Sequence, residues 1–195
     1  KLIQKEFELN GFNKFIVSIN HKSQIIKTYF KNEKSLSQID FLEEKKPMGT
    51  IGVLSKLKKN LKDTLFVSNC DIIIKENYNK ILDFQNKNKF KITIVGSAQQ
   101  HSVPYGVCSI DKKGKLIEII EKPNFDLIVN TGFYVLEPQV LNFIPKNRFF
   151  DMTDLITLLL SKKIKIGVFP VNENAWIDIG HWSEYNKSLQ KFNFN

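Results

Sequence analysis

The sequence predicts an α/β domain, a mixed but mainly parallel sheet flanked by helices, and three observations carry that expectation. Compact apolar runs of strand type alternate with helical patterns through the first half. The second half turns to a hairpin, so antiparallel pairs interrupt the winding. No internal repeat, low-complexity stretch or linker breaks the chain, and its 195 residues suit a single unit spanning 1–195.

Leu2, Ile3, Phe7 and Leu9, with Gly11 behind them, read as a helix already under way, as if the chain began in mid-domain. Lys14–Ile19 is a strand, and Ser23–Phe30 a helix with Ser23 as candidate N-cap. A short strand at Ile39–Leu42 leads into the loop Glu43–Thr50, broken by Pro47 and Gly49, and then a helix from about Gly52 to Leu61. Thr64–Val67 is a buried-type strand, Glu76–Asn88 a helix and Ile92–Val95 a strand. Val107–Ile110 and Leu116–Ile120 flank the turn Asp111–Gly114 as a hairpin. Pro123 should stop that ladder and leave Lys122 at a sheet end. Asn130–Leu136 is a strand, Pro138 opens a short helix, Met152–Leu160 is a helix, Ile164–Pro170 and Trp176–Ile179 are strands, and Ser183–Gln190 is a closing amphipathic helix.

Composition excludes several classes. Hydrophobic residues at 42% and charged residues at 25% argue against disorder and fibrous architecture. No apolar run approaches the ~18–20 residues of a membrane span, and the first residues lack a signal peptide's apolar stretch. The expectation is a soluble, cytoplasmic chain without a membrane partner. Cys70 and Cys108 form neither a metal motif nor a disulfide framework. The net charge is +9, from 29 Lys+Arg against 20 Asp+Glu, but Arg148 is the only arginine. Phosphate and nucleic-acid readers lean on arginine's bidentate fork, so no nucleic-acid partner is expected, the Lys56–Lys62 stretch being the one place to look.

Candidate chemistry lies beyond strand ends, where open α/β sheets bind ligands. Asp71 follows the Thr64–Val67 strand and could hold a divalent ion or cap a turn. Asp178, between apolar neighbours in Trp176–Gly180, needs a cation or donor, in a site or in a structural ion pair. Lys122 could hold a phosphate or be a surface lysine. The loop Pro47–Gly52 could let backbone approach a base or phosphate. His21, His101 and His181 share no metal-binding spacing.

In order along the chain, these segments resemble the sugar-1-phosphate nucleotidyltransferases, including bacterial mannose-1-phosphate guanylyltransferase-like, CBS-linked members. Pro47–Gly52 (PMGTIG) resembles P-L-G-T-A-G, and Phe66–Asp71 (FVSNCD) a strand ending in N-G-D. Tyr105–Val107 (YGV) and Glu121–Pro123 (EKP) resemble sugar and phosphate contacts. Val129–Val135 (VNTGFYV) is similar to V-N-A-G-I-Y-V, and Trp176–Gly180 (WIDIG) to W-x-D-x-G. The family's G-x-G-x-R-[LM]…K-P signature is absent. Lys1–Asn20 resembles the helix and strand that succeed that signature in the family, so the first strand and phosphate loop are expected before Lys1. Cys70 replaces the usual Gly, Met48 the usual Leu, and Thr131 a small Ala.

The resemblance implies a Rossmann-like transferase fold and formation of an NDP-sugar and pyrophosphate from an NTP and a sugar 1-phosphate. GTP with a hexose or amino-sugar 1-phosphate is favoured, of the kind used for cell-surface glycans. A thymidylyl or uridylyl enzyme, or a non-catalytic nucleotide-sugar-binding domain, is the alternative. Mg²⁺ is the implied cofactor, held by Asp71 and Asp178. Lys122 would hold the attacking phosphate, Glu121 and Asn130 would bond sugar hydroxyls, Gly106 would let the sugar lie on backbone, and Gly49 would approach the base. Thr50, Asn69 and Thr131 complete the implied substrate contacts, and Trp176 either walls the site or fills the core. A homo-oligomer is compatible with this reading, and the chain on its own is expected to be a weak catalyst.

Overall fold

Phe7 explains why the chain opens with a helix. It is the buried residue of α1 (Leu2–Leu9), and the rings of Phe12, Phe15, Phe66, Tyr78 and Phe133 surround it at centroid distances of 4.9 to 6.3 Å. Such ring pairs add roughly 0.5–1.5 kcal/mol each beyond the area they bury. This computed structural model describes residues 1–31, 37–57 and 61–180. His181 and the expected Ser183–Gln190 helix lie outside the described residues, as do residues 58–60 of the Lys56–Lys62 stretch.

β1 (Lys14–Ile19) and β2 (Gln38–Glu43) pair in parallel, and α2 (Ser23–Lys31) lies between them in sequence. Ser23, expected to cap α2, is instead its first residue. β3 (Leu65–Ser68), β4 (Ile72–Ile74) and α3 (Tyr78–Asn88) come next. The expected start of α3 at Glu76 moves two residues on, because the Asn77 side chain accepts from Asn79 N at 2.9 Å and caps the helix there.

The main sheet has the order β3, β8 (Asn124–Leu136), β5 (Ile92–Ser102), β9 (Ile166–Asn172). β3, β5 and β9 point one way and β8 runs against them, so the sheet is mixed, as expected. Alternation along β8 builds a core on each face. Phe133 and Val135 join Tyr78, Ile81 and Phe7 on the α1/α3 side. Tyr134 and Leu136 join Met152, Leu155 and Leu159 of α4 (Met152–Ser161) on the other. Full burial of each such leucine contributes about 1.5–3 kcal/mol.

A register shift at Val95/Gly96 marks the end of this covered region. Beyond it, β5 and β8 continue as a mostly exposed ribbon to Ser102 and Asn124, well past the expected boundaries at Val95 and Asn130. The ribbon leads into the expected hairpin, β6 (Val107–Ile110) and β7 (Leu116–Ile120). β10 (Trp176–Asp178) pairs antiparallel with β4, a strand that the apolar pattern had not singled out. Among the described residues, no helix is long and apolar enough to cross a membrane.

Candidate active site

Antiparallel pairing of β10 with β4 brings the two aspartates together. Asp178 sits opposite Ile72, and Ile179 N donates to Asp71 O at 2.8 Å. A Cβ on Gly180 would lie 2.6 Å from Asp71 Oδ2 and 3.1 Å from Asp178 Oδ1, so both carboxylates converge on one small volume. Gly180 N donates to Asp178 Oδ1 at 2.8 Å. Both side chains are half-buried, and among the described residues neither is paired with a lysine, arginine or histidine. The turn cap foreseen as one alternative for Asp71, and the ion pair foreseen for Asp178, are therefore not what the described residues form.

The two carboxylates face one half-buried space. Their donor set is hard oxygen, which fits Mg²⁺, an ion that takes one or two carboxylates and completes its shell with water and phosphate. Among the described residues no third His, Cys, Asp or Glu joins the pair, so such an ion would leave positions open for substrate oxygens.

Asn69 links this pair to the sheet. Its backbone N donates to Gly132 O at 3.1 Å, and Gly132 has a φ of +81°; a Cβ built there would lie 2.6 Å from Asn69 Nδ2. Next to it, Asn130 is held at both ends of its amide. Oδ1 accepts from Gly132 N at 3.1 Å, and Nδ2 donates to the Tyr134 hydroxyl at 2.8 Å. Burial raises the Tyr134 pKa, with the Asn130 bond opposing, so the phenol stays neutral and its oxygen can accept. Tyr134 stands within the VNTGFYV motif but carries no role on sequence grounds; the four-residue spacing from Asn130 across the register shift was the available signal.

At the hairpin corner, Gly106 faces Glu121, whose Oε2 would lie 2.9 Å from a Cβ at that position. Lys122 N donates to Tyr105 O at 3.3 Å, and Lys122 adopts a left-handed φ of +46° between β7 and β8. The ladder of β7 does stop before Pro123, and Lys122, Glu121 and Gly106 are all exposed at that end.

The other four expected substrate contacts pack against the protein. The Thr131 side chain is 2% exposed and its hydroxyl donates to Val95 O at 2.8 Å, so it closes the register shift inside the protein. Trp176 pairs with Ile74 and, partly buried, packs against the Phe7 core. Gly49 and Thr50 dock onto the start of α4: Thr50 N donates to Asp151 Oδ1 at 2.8 Å, and a Cβ on Gly49 would lie 2.6 Å from Phe150 O. The same docking corrects the expected Gly52–Leu61 helix, which is a single 3₁₀ stretch, Gly52–Lys56, because Ile51 N and Gly52 N donate to Phe150 O and Leu57 is extended. The site residues thus form local groups: the aspartate pair, Asn69 with Asn130 and Tyr134, Gly106 with Glu121 and Lys122, and Gly49 with Thr50 on α4. A separate cleft of about 430 Å³, lined by Ala98, Gln100, Asp126, Ile128, Asn172 and Asn174 among others, contains none of them. Asp126 and Glu173 are the ionisable groups among its lining residues.

Paired carboxylates beyond a mixed α/β sheet, with polar groups on an adjoining ribbon, are hard-oxygen donors that could hold a divalent ion. The chain belongs to the nucleotidyl transferase family, which it matches over residues 2–193. It is 26% identical to the UTP–glucose-1-phosphate uridylyltransferase of Synechocystis sp., over 93% of this chain and 52% of that protein. It is 25% identical to the D-glycero-α-D-manno-heptose 1-phosphate guanylyltransferase of Campylobacter jejuni, over 90% of this chain and 77% of that protein. The crystal structure of HddC from Yersinia pseudotuberculosis, also solved in complex with GMP-PN, superposes with a TM-score of 0.73 at 25% identity, covering 98% of this chain and 84% of HddC. The chain spans about half the length of the first curated relatives it matches.

Proposed function

We propose that this chain belongs to the catalytic domain of a nucleotidyltransferase that joins an NTP to a sugar 1-phosphate and releases pyrophosphate. The observation that carries the reading is the convergence of Asp71 and Asp178 beside Gly180. A phosphate oxygen of the sugar 1-phosphate attacks the α-phosphorus of the NTP, a new P–O bond forms, and the bond to the β-phosphate breaks with its electron pair leaving on pyrophosphate. Bound Mg²⁺ would neutralise the two polyanions and hold them in line.

The chain's own residues orient the reactants. Asp71 and Asp178 hold the ion, and Lys122 reaches the attacking phosphate as a flexible point charge. Glu121 accepts from sugar hydroxyls at the corner where Gly106 leaves backbone bare. Asn130, fixed by Gly132 N and Tyr134, retains one amide hydrogen for the sugar. Asn69 steers the Asp71 turn through its contacts with Gly132. Guanylyl transfer is favoured over uridylyl transfer, because the heptose 1-phosphate guanylyltransferase is matched over more of its length than the uridylyltransferase, and HddC has been crystallised with GMP-PN.

The test is pyrophosphate release by the complete protein, with Mg²⁺, across the four NTPs and a panel of hexose and heptose 1-phosphates. Turnover is expected with GTP, and Asp71→Asn and Asp178→Asn should each reduce it about 100-fold or more. No turnover with any pair contradicts the proposal, and wild-type rates in both variants contradict the metal assignment.

A further inference from the structure

The end of the main sheet farthest from the aspartate pair carries the same turn twice. β3, β5 and β9 run toward the end where Asp71 lies, so the residues that lead into β5 and β9 are at the opposite end. α3 leads into β5 through Lys89-Phe90-Lys91-Ile92, and α4 leads into β9 through Lys163-Ile164-Lys165-Ile166. Both helices close in one way. Phe90 N donates to Gln85 O at 3.1 Å and Ile164 N to Leu159 O at 3.0 Å, with Lys89 and Lys163 left-handed at φ +57° and +58°. Glycine is the usual residue at that position, because a Cβ is strained there. Phe90 turns in against Gly167 and Ile164 packs onto the α4 core, while Lys89, Lys163 and Lys165 are exposed and Lys91 is half-buried. Ile92 sits opposite Ile166, and Lys91 N donates to Lys165 O at 2.9 Å, so two like charges begin adjacent strands. Lys87 and Lys162 stand beside them, and among the described residues none of the six is in an ion pair. Asp83, one turn before Lys87, and Glu137, whose N donates to Lys91 O at 3.0 Å, are acidic neighbours, which leaves an excess of positive charge.

We infer that this lysine-rich end is a docking surface for an anionic phospholipid membrane, on which the protein rests peripherally with the aspartate pair at the far end of the sheet. Clusters of four to eight lysines bind acidic headgroups through additive, non-directional attraction. Leu160, 57% exposed in the last turn of α4, gives the patch an apolar contact for the lipid boundary. Compensation of the helix dipoles is the competing role, since lysines at a helix C-terminus offset its carbonyls. That role does not need lysine at the two left-handed positions, where glycine would cost less, nor at Lys91 and Lys165 beyond the helices. Nucleic acid fits less well, because none of the six is arginine and the rings beside them, Phe90 and Phe143, are half-buried. The inference replaces the expectation of a chain without a membrane partner, and it stands apart from the nucleotidyl-transfer reading.

The experiment is sedimentation of the complete protein with vesicles of phosphatidylcholine, alone or with about 30% phosphatidylglycerol. The wild type should pellet with the anionic vesicles and not with the neutral ones, and raising salt from about 0.1 M to about 0.5 M should release it. Lys89→Gly with Lys163→Gly removes two charges while relieving the left-handed strain. That pair should melt at an unchanged or higher temperature yet bind anionic vesicles about tenfold more weakly or worse. Lys91→Gln with Lys165→Gln should weaken binding by a similar factor. Lys112→Gln with Lys113→Gln takes the same charge from the hairpin turn and should bind as the wild type does. An equal loss in that hairpin pair would trace the attraction to net charge and overturn the inference. Wild-type binding in the glycine pair, equal binding to neutral vesicles, or no binding to anionic ones at about 0.1 M salt would overturn it too. Tighter binding of single-stranded RNA than of anionic vesicles at matched phosphate, lost in the same two variants, would assign the surface to nucleic acid instead.

Discussion

β5 and β8 are each two different strands laid end to end, and the change falls at the Val95/Gly96 register shift. Before it, Ile92, Val95, Phe133 and Val135 are at most 1% exposed, with helices over both faces of the sheet. After it, Phe125, Leu127 and Ile128 are 44 to 55% exposed, and every residue of β7 is exposed. The covered half supplies stability. The ribbon half leads into the hairpin corner that carries Gly106, Glu121 and Lys122, and the shift itself presents Asn130 where the two halves meet. Candidate substrate contacts therefore sit where little packing would be lost by adapting to a ligand, next to a core that holds their roots.

The sharpest way to break that division is a graded set of four substitutions. Leu155→Ala, in the fully buried α4 face, should lower unfolding free energy by about 2–5 kcal/mol in denaturant titrations. Next in size is Gly132→Ala at the junction, where positive φ and the Asn69 side chain both oppose a Cβ; it should lose about 1–3 kcal/mol and disturb Asn130, raising the KM for sugar 1-phosphate in the same protein. Gly106→Ala, in the ribbon, should leave the melting temperature nearly unchanged while raising that KM about tenfold, because Glu121 Oε2 must move off the added methyl. Smallest of all, Ile117→Ser at a 67% exposed site should change stability by no more than about 0.5 kcal/mol. An Ile117→Ser effect as large as that of Leu155→Ala would show that the ribbon is part of the core.

Legibility in the sequence divides along the same line. The covered half was readable because strands buried on both faces are near-continuous apolar runs, as at Ile92–Val95 with Thr93 the one interruption, and Leu155 and Leu159 fall at helical spacing. The ribbon was cut short because Gln99, Gln100 and His101, opposite Leu127, Asp126 and Phe125, carry no period that a half-exposed strand must show. β4 was missed because Ile72–Ile74 lies directly behind the Asp71 turn and its partner, β10, is more than a hundred residues away. The two aspartates were found through motif order, but their meeting beside Gly180 depends on that pairing. The docking of Gly49 and Thr50 was not legible for the same reason: Asp151 and Phe150, which hold that loop, are invisible at that distance in sequence.

One structure tests the central claim most directly: the complete protein crystallised with Mg²⁺ and a GDP-sugar. The account predicts the diphosphate beside Asp71 and Asp178, with one ion touching an oxygen of each carboxylate, and the sugar toward Gly106, Glu121 and Asn130. A nucleotide sugar bound elsewhere, or bound here with both aspartates turned away from its phosphates, would contradict it.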